Sequence, residues 1–162
     1  MKTRTNYNPM QIPGLPGFDQ SGIRTITVPK VERITTNSLK VEKVELSDEY
    51  TRIDIIHYAD PKYISGGWVH ICPETFIRPS GSSERLGLLN VINVPIARAK
   101  HYYKHVNDRI AFSLFFPALP KDVKSIDMIE KLNGGENYFN IYGIRTREID
   151  NGPVRLGFSS FN

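Results

Sequence analysis

The sequence predicts an all-β domain, an antiparallel β-sandwich of about seven to nine short strands. Runs of β-branched and aromatic residues with alternating apolar positions recur along most of the chain, and turn-forming residues separate them. Two closely spaced prolines interrupt the clearest of these runs. The 162 residues suit one domain, and a chain of this length buries roughly two thirds of its unfolded surface without a disulfide or a metal.

The segment 111–130 shows the strand pattern most clearly. Large apolar residues alternate on both sides of a corner formed by Pro117 and Pro120. Neither proline can donate a backbone N–H, so the pattern predicts a strand, a corner and a second strand. Helical spacing in the second half is the alternative, which the two prolines upstream disfavour. The alternating residues are Phe112, Leu114 and Phe116 before the corner and Ile126 and Met128 after it.

Residues 1–34 read as an extended arm rich in proline and glycine, because no apolar period lasts there. One interpretation is a disordered leader or linker. The other is an arm that lies along a neighbouring subunit or partner, with residues 23–28 adding an edge strand. The apolar anchors of such an arm are Met10, Ile12, Leu15 and Phe18.

Residues 35–150 are predicted to form the β-sandwich, beginning with a hairpin. Residues 39–46 and 50–58 are two strand-like runs, and a polar turn at residues 47–49 joins them. The apolar parity changes between Val41 and Val44, which indicates either a bulge or a short helical lapse.

Four further runs complete the predicted strands. Residues 68–71 follow two glycines, and Trp68 is expected to plug the core or cover a turn. Residues 75–77 are expected to continue that strand, and residues 86–94 to form a buried strand. Residues 97–107 are either a helical turn or two or a long loop. Residues 138–144 form the last clear strand, and the tail 151–162 is either one more strand or a segment that docks on a partner.

The order of these runs resembles an immunoglobulin-like β-sandwich module of Bacteroidetes-type envelope proteins, which is often found before thioredoxin-like domains. The resemblance covers about residues 36–148 and is most specific at the proline corner. It implies an accessory or interaction module without catalytic activity, and relatives that are exported. The stretches that carry it are residues 41–46, 50–53, 68–71, 112–121, 126–130 and 139–144.

Charge and cysteine content exclude several classes of protein. The net charge of +4 is spread along the chain, whereas nucleic-acid binders of this size concentrate basic residues in a patch. Cys72 is the single cysteine, which rules out an intrachain disulfide, and we expect a buried, inert thiol. No apolar run follows the basic start at residues 1–4, so we expect no signal peptide, and no run is long enough to span a bilayer. The compartment stays unknown.

One segment mixes basic and aromatic residues and is the predicted binding segment: Lys100, His101, Tyr102, Tyr103, Lys104 and His105. This mixture suits a protein partner or a sugar. It also suits single-stranded nucleic acid, but the presence of only one such cluster disfavours that partner. On a helix, His101 and His105 would share one face, with Asp108 as a third metal ligand. Because the motif lacks a glutamate after the first histidine, we prefer an exposed polar-aromatic loop and predict no metal and no cofactor.

The sequence favours a binding protein over an enzyme. Asp127 and Glu130 are close in sequence, but on a strand their odd spacing places them on opposite faces. No G-x-S-x-G motif presents a nucleophile. We therefore predict a non-catalytic interaction module that binds a protein partner or a ligand. The alternative is a structural subunit of an assembly, such as a homo-oligomer, that is held by its N-terminal arm and C-terminal tail.

Overall fold

The computed structural model describes residues 22–147. This part of the chain is all-β and contains twelve strands and one short 3₁₀ helix at Gly135–Asn137. The strands are β1 Arg24–Thr27, β2 Arg33–Ile34, β3 Leu39–Leu46, β4 Thr51–Tyr58, β5 Trp68–Val69, β6 Phe76–Pro79, β7 Leu86–Gly87, β8 Asn90–Ile92, β9 His101–Tyr102, β10 Arg109–Phe116, β11 Ser125–Ile129 and β12 Ile141–Arg145.

These strands form two five-stranded sheets and one small pair. The first sheet has the order β1-β3-β4-β10-β8, and the second has the order β2-β12-β11-β6-β7. Strands β5 and β9 pair separately. Every neighbouring pair within these sheets is antiparallel.

The predicted hairpin is confirmed as β3 and β4. The two strands pair from Leu39 with His57 to Leu46 with Thr51, and the register shifts between Val41 and Lys43, where the change of parity indicates a bulge. The predicted edge strand is confirmed as β1, which lies at the rim of the first sheet. Strands β1 and β2 lie within the range 1–34 that the sequence assigns to the arm, so sheet pairing begins at Arg24.

The proline corner connects the two sheets. Strand β10 ends at Phe116 in the first sheet, and β11 begins at Ser125 in the second. The Thr51 hydroxyl donates a hydrogen bond of 2.9 Å to the Pro117 carbonyl and ties the corner to the start of β4. The predicted strand, corner and strand are therefore confirmed, and the helical alternative for the second half is wrong.

A single apolar core takes side chains from both sheets, an arrangement that fits a β-sandwich. In the first sheet, β4 alternates buried and partly exposed residues along its whole length, as expected for a strand with one face on a core. The fully buried side chains of largest volume are Phe116, Ile53, Ile55, Ile71, Ile77, Leu114, Ile126, Met128, Ile129, Ile141, Ile144 and Val44.

Three expectations about strands need correction. Residues 86–94 do not form one buried strand: the run divides into β7 in the second sheet and β8 in the first, and Leu89 between them is 62% exposed. Residues 75–77 do not continue β5, because β6 pairs with β11 and β7. The twelve strands exceed the predicted seven to nine, since four of them are pairings of only two residues.

Residues 97–107 contain β9 and otherwise turns and loop, without a helix. The arm anchors Met10, Ile12, Leu15 and Phe18 and the tail 151–162 lie outside the described residues. Between Gly22 and Arg147, the structure contains no helix of the length and apolar character that a bilayer span requires.

A cleft at one end of the sandwich as candidate functional site

An open cleft of about 870 Å³ lies at the end of the sandwich where β4 and β11 finish. One wall is the connection from β4 to β5 together with β5 and Lys100. The other wall consists of residues 35–38 before β3 and residues 136–139 around the 3₁₀ helix. Loops at one sandwich end thus converge on a single concave surface, a common position for a ligand site.

The first wall presents aromatic side chains. Trp68 on β5 is 44% exposed, and the Lys100 ammonium lies 4.4 Å from its ring centroid. The His70 ring packs edge-on against Trp68, with centroids 4.7 Å apart. Tyr63, which is 52% exposed, stands in the same wall. The expectation that Trp68 plugs the core is wrong, because on β5 it is the neighbouring Val69 that points inward.

Two glycines hold this wall in place. Gly66 has a φ of +90°, and a Cβ atom there would lie 2.5 Å from the Ala59 Cβ and 3.0 Å from the His105 carbonyl oxygen. Gly67 has a φ of +82°, and the Tyr63 ring packs against it. A left-handed backbone and a close approach both favour glycine. The pair therefore folds the loop back tightly and leaves Trp68 facing the cleft.

The strand pair β5 and β9 is anchored in the core from beneath. Val69 is buried, and Tyr103, directly after β9, is 4% exposed. The Tyr103 amide donates to the Gly67 carbonyl at 3.0 Å. Trp68 and Tyr102 are direct cross-strand partners, and both face solvent. The exposed aromatic residues consequently stand on a fixed base.

A buried histidine forms the floor of the cleft. His57 is 5% exposed, and its ring nitrogens contact the Tyr103 hydroxyl at 2.7 Å and the Ser38 hydroxyl at 3.3 Å. Burial lowers the pKa of the His57 imidazole to about 4, against an opposing effect of the Asp60 carboxylate. The Tyr103 hydroxyl also donates to the His57 carbonyl at 3.1 Å, and burial raises the pKa of this phenol. The floor is therefore uncharged at neutral pH.

A buried carboxylate supports the second wall. Glu130 accepts hydrogen bonds from the Phe139 amide at 2.8 Å and from the Cys72 amide at 2.9 Å. The Thr35 hydroxyl donates to the Tyr138 carbonyl and fixes the same segment to the start of β3. Burial, and next the Glu130 carboxylate, raise the pKa of the Cys72 thiol to about 11, so the thiol is not a nucleophile at neutral pH.

The predicted binding segment divides between the cleft, the surface and the core. Lys100 lines the cleft. His101, Tyr102, Lys104 and His105 are exposed, whereas Tyr103 is buried beneath the floor. That the segment binds a partner stays a prediction.

The metal-binding alternative for this segment does not fit the structure. His101 lies on a strand and His105 in a turn, so the helical spacing is absent. The Asp108 carboxylate instead accepts the backbone N–H groups of Lys104 and His105 at 3.2 and 3.1 Å. Among residues 22–147, no three His, Cys, Asp or Glu side chains are grouped to hold a metal ion.

Sequence reasoning missed Tyr63, Trp68 and the floor residue His57 as parts of one site. The available signal was the pair Gly66-Gly67 directly before the single tryptophan, since paired glycines mark a tight turn that can present a large side chain as readily as bury it. His57 gives no such signal, because its neighbours are set by the fold.

Comparisons of the chain with protein-family models, with curated proteins and with solved structures found no match.

Proposed function

We propose that this chain is a non-catalytic interaction module of immunoglobulin-like β-sandwich type, which binds a ligand or a partner in the cleft beside Trp68. The main observation in support is that the exposed side chains of Trp68 and Tyr63 stand above the buried residues Val69 and Tyr103. Monomeric proteins rarely leave large aromatic side chains in an open concave surface without a use for them. The resemblance to modules of Bacteroidetes-type envelope proteins supports the same assignment.

The chemistry of the cleft favours binding over catalysis. Its buried histidine has a pKa of about 4 and is a weak general base at neutral pH. The oxygens of its buried carboxylate, Glu130, accept backbone N–H groups and hold the wall. The thiol of Cys72 has a raised pKa. These groups support the walls and the floor of a binding surface.

Protein-observed NMR with the full chain tests this proposal. A fragment library of neutral, acidic and basic small molecules is added, and amide and indole shifts are recorded. We expect shifts to concentrate at Gly66, Gly67 and the Trp68 indole. Lys100→Ala should weaken the fragments that bind there, whereas Leu89→Ala, a change at an exposed residue outside the cleft lining, should not. Fragments that bind elsewhere, or none that bind, would contradict the proposal.

The second candidate is a structural subunit, and the placement of the two ends of the described chain favours it. Gly22 and Thr146 line one shallow groove of about 320 Å³ beside Pro120, at the end of the sandwich opposite the cleft. Arg147 donates from its guanidinium to the Lys121 carbonyl at 2.9 Å in the same region. Residues 1–21 and 148–162 therefore attach to the same end, where both could reach one neighbouring subunit.

Light scattering separates the two candidates. The full chain is compared with a variant that begins at Gly22, before the first paired strand. A structural subunit should form an oligomer that the truncation dissociates. An identical monomer mass for both proteins would refute the structural candidate and leave the binding module.

A further inference from the structure

The charges that line the cleft nearly balance, with two lysines against three carboxylates. Asp60 and Lys62 form an ion pair at 3.6 Å. Glu130 uses its carboxylate oxygens on backbone N–H groups. This leaves Lys100 on the aromatic wall and Glu136 on the facing wall, which have opposite signs. An anionic ligand such as a polyphosphate therefore finds no excess of positive charge here, and a strongly basic peptide finds an excess of only one negative charge.

The aromatic wall offers partly exposed rings to a ligand, and the Lys100 ammonium lies over the Trp68 ring, 4.4 Å from its centroid. Trp68 and Tyr63 are about half exposed, and Tyr138 lines the opposite side of the cleft. Aromatic rings contribute large contact areas at low cost in side-chain entropy, because they have only two rotatable bonds. A ligand with flat C–H surfaces is therefore favoured over one that is polar on every side.

The facing wall offers uncharged polar groups. The carboxamide groups of Asn37 and Asn137 line the cleft, and a carboxamide both donates and accepts hydrogen bonds. The hydroxyl groups of Thr36 and Ser38 also line it, and they bond to each other at 2.9 Å. Such groups match a ligand whose polar groups also both donate and accept hydrogen bonds, as the hydroxyl groups of a sugar do.

One polar atom in the cleft lining also lacks a protein partner. Among the described residues, the Nδ1 atom of His70 is buried and forms no hydrogen bond. Buried polar atoms without partners are rare in native proteins, and they concentrate where a water or a ligand completes the structure. The His70 ring packs edge-on against Trp68, so this atom lies next to the aromatic wall and is enclosed by protein.

We propose that the ligand of the cleft is a neutral carbohydrate, whose ring faces stack on Trp68 and Tyr63 and whose hydroxyl groups bond to the facing wall. This inference rests on the proposed binding function and names the ligand class. The volume of about 870 Å³ lies in the upper part of the range for small-molecule sites, about 300–1,000 Å³, and suits a short oligosaccharide.

The test begins with the full chain on an array of neutral, sialylated and sulfated glycans. Neutral oligosaccharides that bind are then titrated in solution, with the fluorescence of Trp68, the single tryptophan, as the reporter. We expect binding of neutral glycans, a change in Trp68 emission, and the same affinity at low and high salt, because exposed charges are screened by salt and neutral contacts are not.

Variants identify the contacts by calorimetry, which needs no tryptophan. Trp68→Ala should weaken the neutral glycan by about tenfold or more, since it removes an aromatic stacking face. Asn137→Ala should weaken it less, and Leu89→Ala should leave it unchanged. Glycan binding that survives Trp68→Ala unchanged would overturn the proposed site.

The outcomes separate this inference from the proposed function. If only sulfated or sialylated glycans bind, and their affinity depends strongly on salt, the claim that the ligand is a neutral carbohydrate is refuted. If fragments bind in the cleft and no glycan binds, the carbohydrate assignment is refuted and the proposed binding function is retained. A protein partner is then the ligand to test next. Absence of both fragment and glycan binding would overturn both.

Discussion

At the scale of single residues, two buried ionisable groups have opposite environments. His57 is surrounded by neutral partners and kept uncharged by burial. Asp127 is 4% exposed, and its carboxylate forms an ion pair with the Arg78 guanidinium, 3.0 Å from one oxygen. The other oxygen accepts hydrogen bonds from the Ser80 hydroxyl at 2.9 Å and from the Gly143 amide at 3.0 Å. We therefore test the role of His57 through the dependence of stability on pH, and the role of Asp127 through substitution.

We expect His57 to make folding less favourable in mild acid. Its pKa is about 4 in the folded chain and about 6.5 when unfolded. Between these values the unfolded chain binds the additional proton, so the free energy of unfolding falls as the pH falls from above 6.5 towards 4, by about 3 kcal/mol at most. Urea titrations across this pH range should show that the free energy of unfolding falls less steeply with falling pH for His57→Gln than for the native chain.

His105→Gln is the control, because His105 is exposed and lies outside the cleft lining. It should keep the native dependence of unfolding free energy on pH. Equal slopes for the native chain and His57→Gln would show that the buried imidazole titrates normally.

Asp127→Asn should destabilise the chain by about 2 to 3 kcal/mol, because it leaves the partly buried Arg78 guanidinium without its counter-charge. Urea denaturation measures the loss. Glu42→Gln removes one partner of an exposed ion pair with Lys40 at 3.6 Å and should cost less than about 1 kcal/mol. Equal effects of the two changes would contradict the structural role assigned to Asp127.

At the scale of elements, local sequence patterns are sufficient to predict a strand whose partner is close in sequence. The hairpin of β3 and β4, its bulge and the proline corner all follow from alternation and turn residues over short distances. The run at residues 86–94 shows the limit. Its apolar residues look continuous, but the Leu88 amide donates to the Thr75 carbonyl, directly before β6 of the second sheet. The next amide, of Leu89, donates to the Phe115 carbonyl in the first sheet. A change of sheet depends on distant partners and has no local signature.

The cleft could be predicted only in part for the same reason. Lys100 was identified from its aromatic and basic neighbours, and it does line the cleft. Tyr103 belongs to the same run of residues but is buried, because the position after β9 lies above the core. Composition identifies a segment, whereas the direction of each side chain depends on the strand pair beneath it.

We expect the glycine turn before β5 to be essential for the aromatic wall. Gly66→Ala places a Cβ atom against Ala59 at a φ of +90°. Gly81→Ala is the matched control, since its φ is +83° and nothing lies within 4 Å of the added atom. Both changes strain the backbone by about 1 kcal/mol, and only Gly66→Ala adds a collision. Thermal unfolding and Trp68 emission should change more for Gly66→Ala. Indistinguishable variants would contradict the tight turn.

At the scale of the whole molecule, the cleft and the groove beside Pro120 lie at opposite ends of the sandwich. The cleft lies where β4 ends, and the described chain begins and finishes beside the proline corner, where β4 starts. The eight residues of β4, at about 3.3 Å each, separate the two ends by roughly 25 Å. The cleft and the attachment points of the two terminal segments are thus at opposite ends of the sandwich.

This separation predicts the result of truncation. A variant that begins at Gly22 retains all twelve strands, so we expect its free energy of unfolding in urea to match that of the full chain within about 0.5 kcal/mol. Its NMR shifts at Gly66, Gly67 and Trp68 on addition of cleft-binding fragments should also be unchanged. Loss of cleft binding on truncation would show that residues 1–21 contribute to the site.

The most direct measurement of the central claim is a crystal structure of the full chain soaked with the fragments and oligosaccharides that bind in solution. We expect electron density between Trp68 and Tyr138, with a ring face against the Trp68 indole and polar atoms near Asn137. Ligands that occupy the groove beside Pro120 instead, with the cleft left empty, would contradict the claim that this module binds through its aromatic wall.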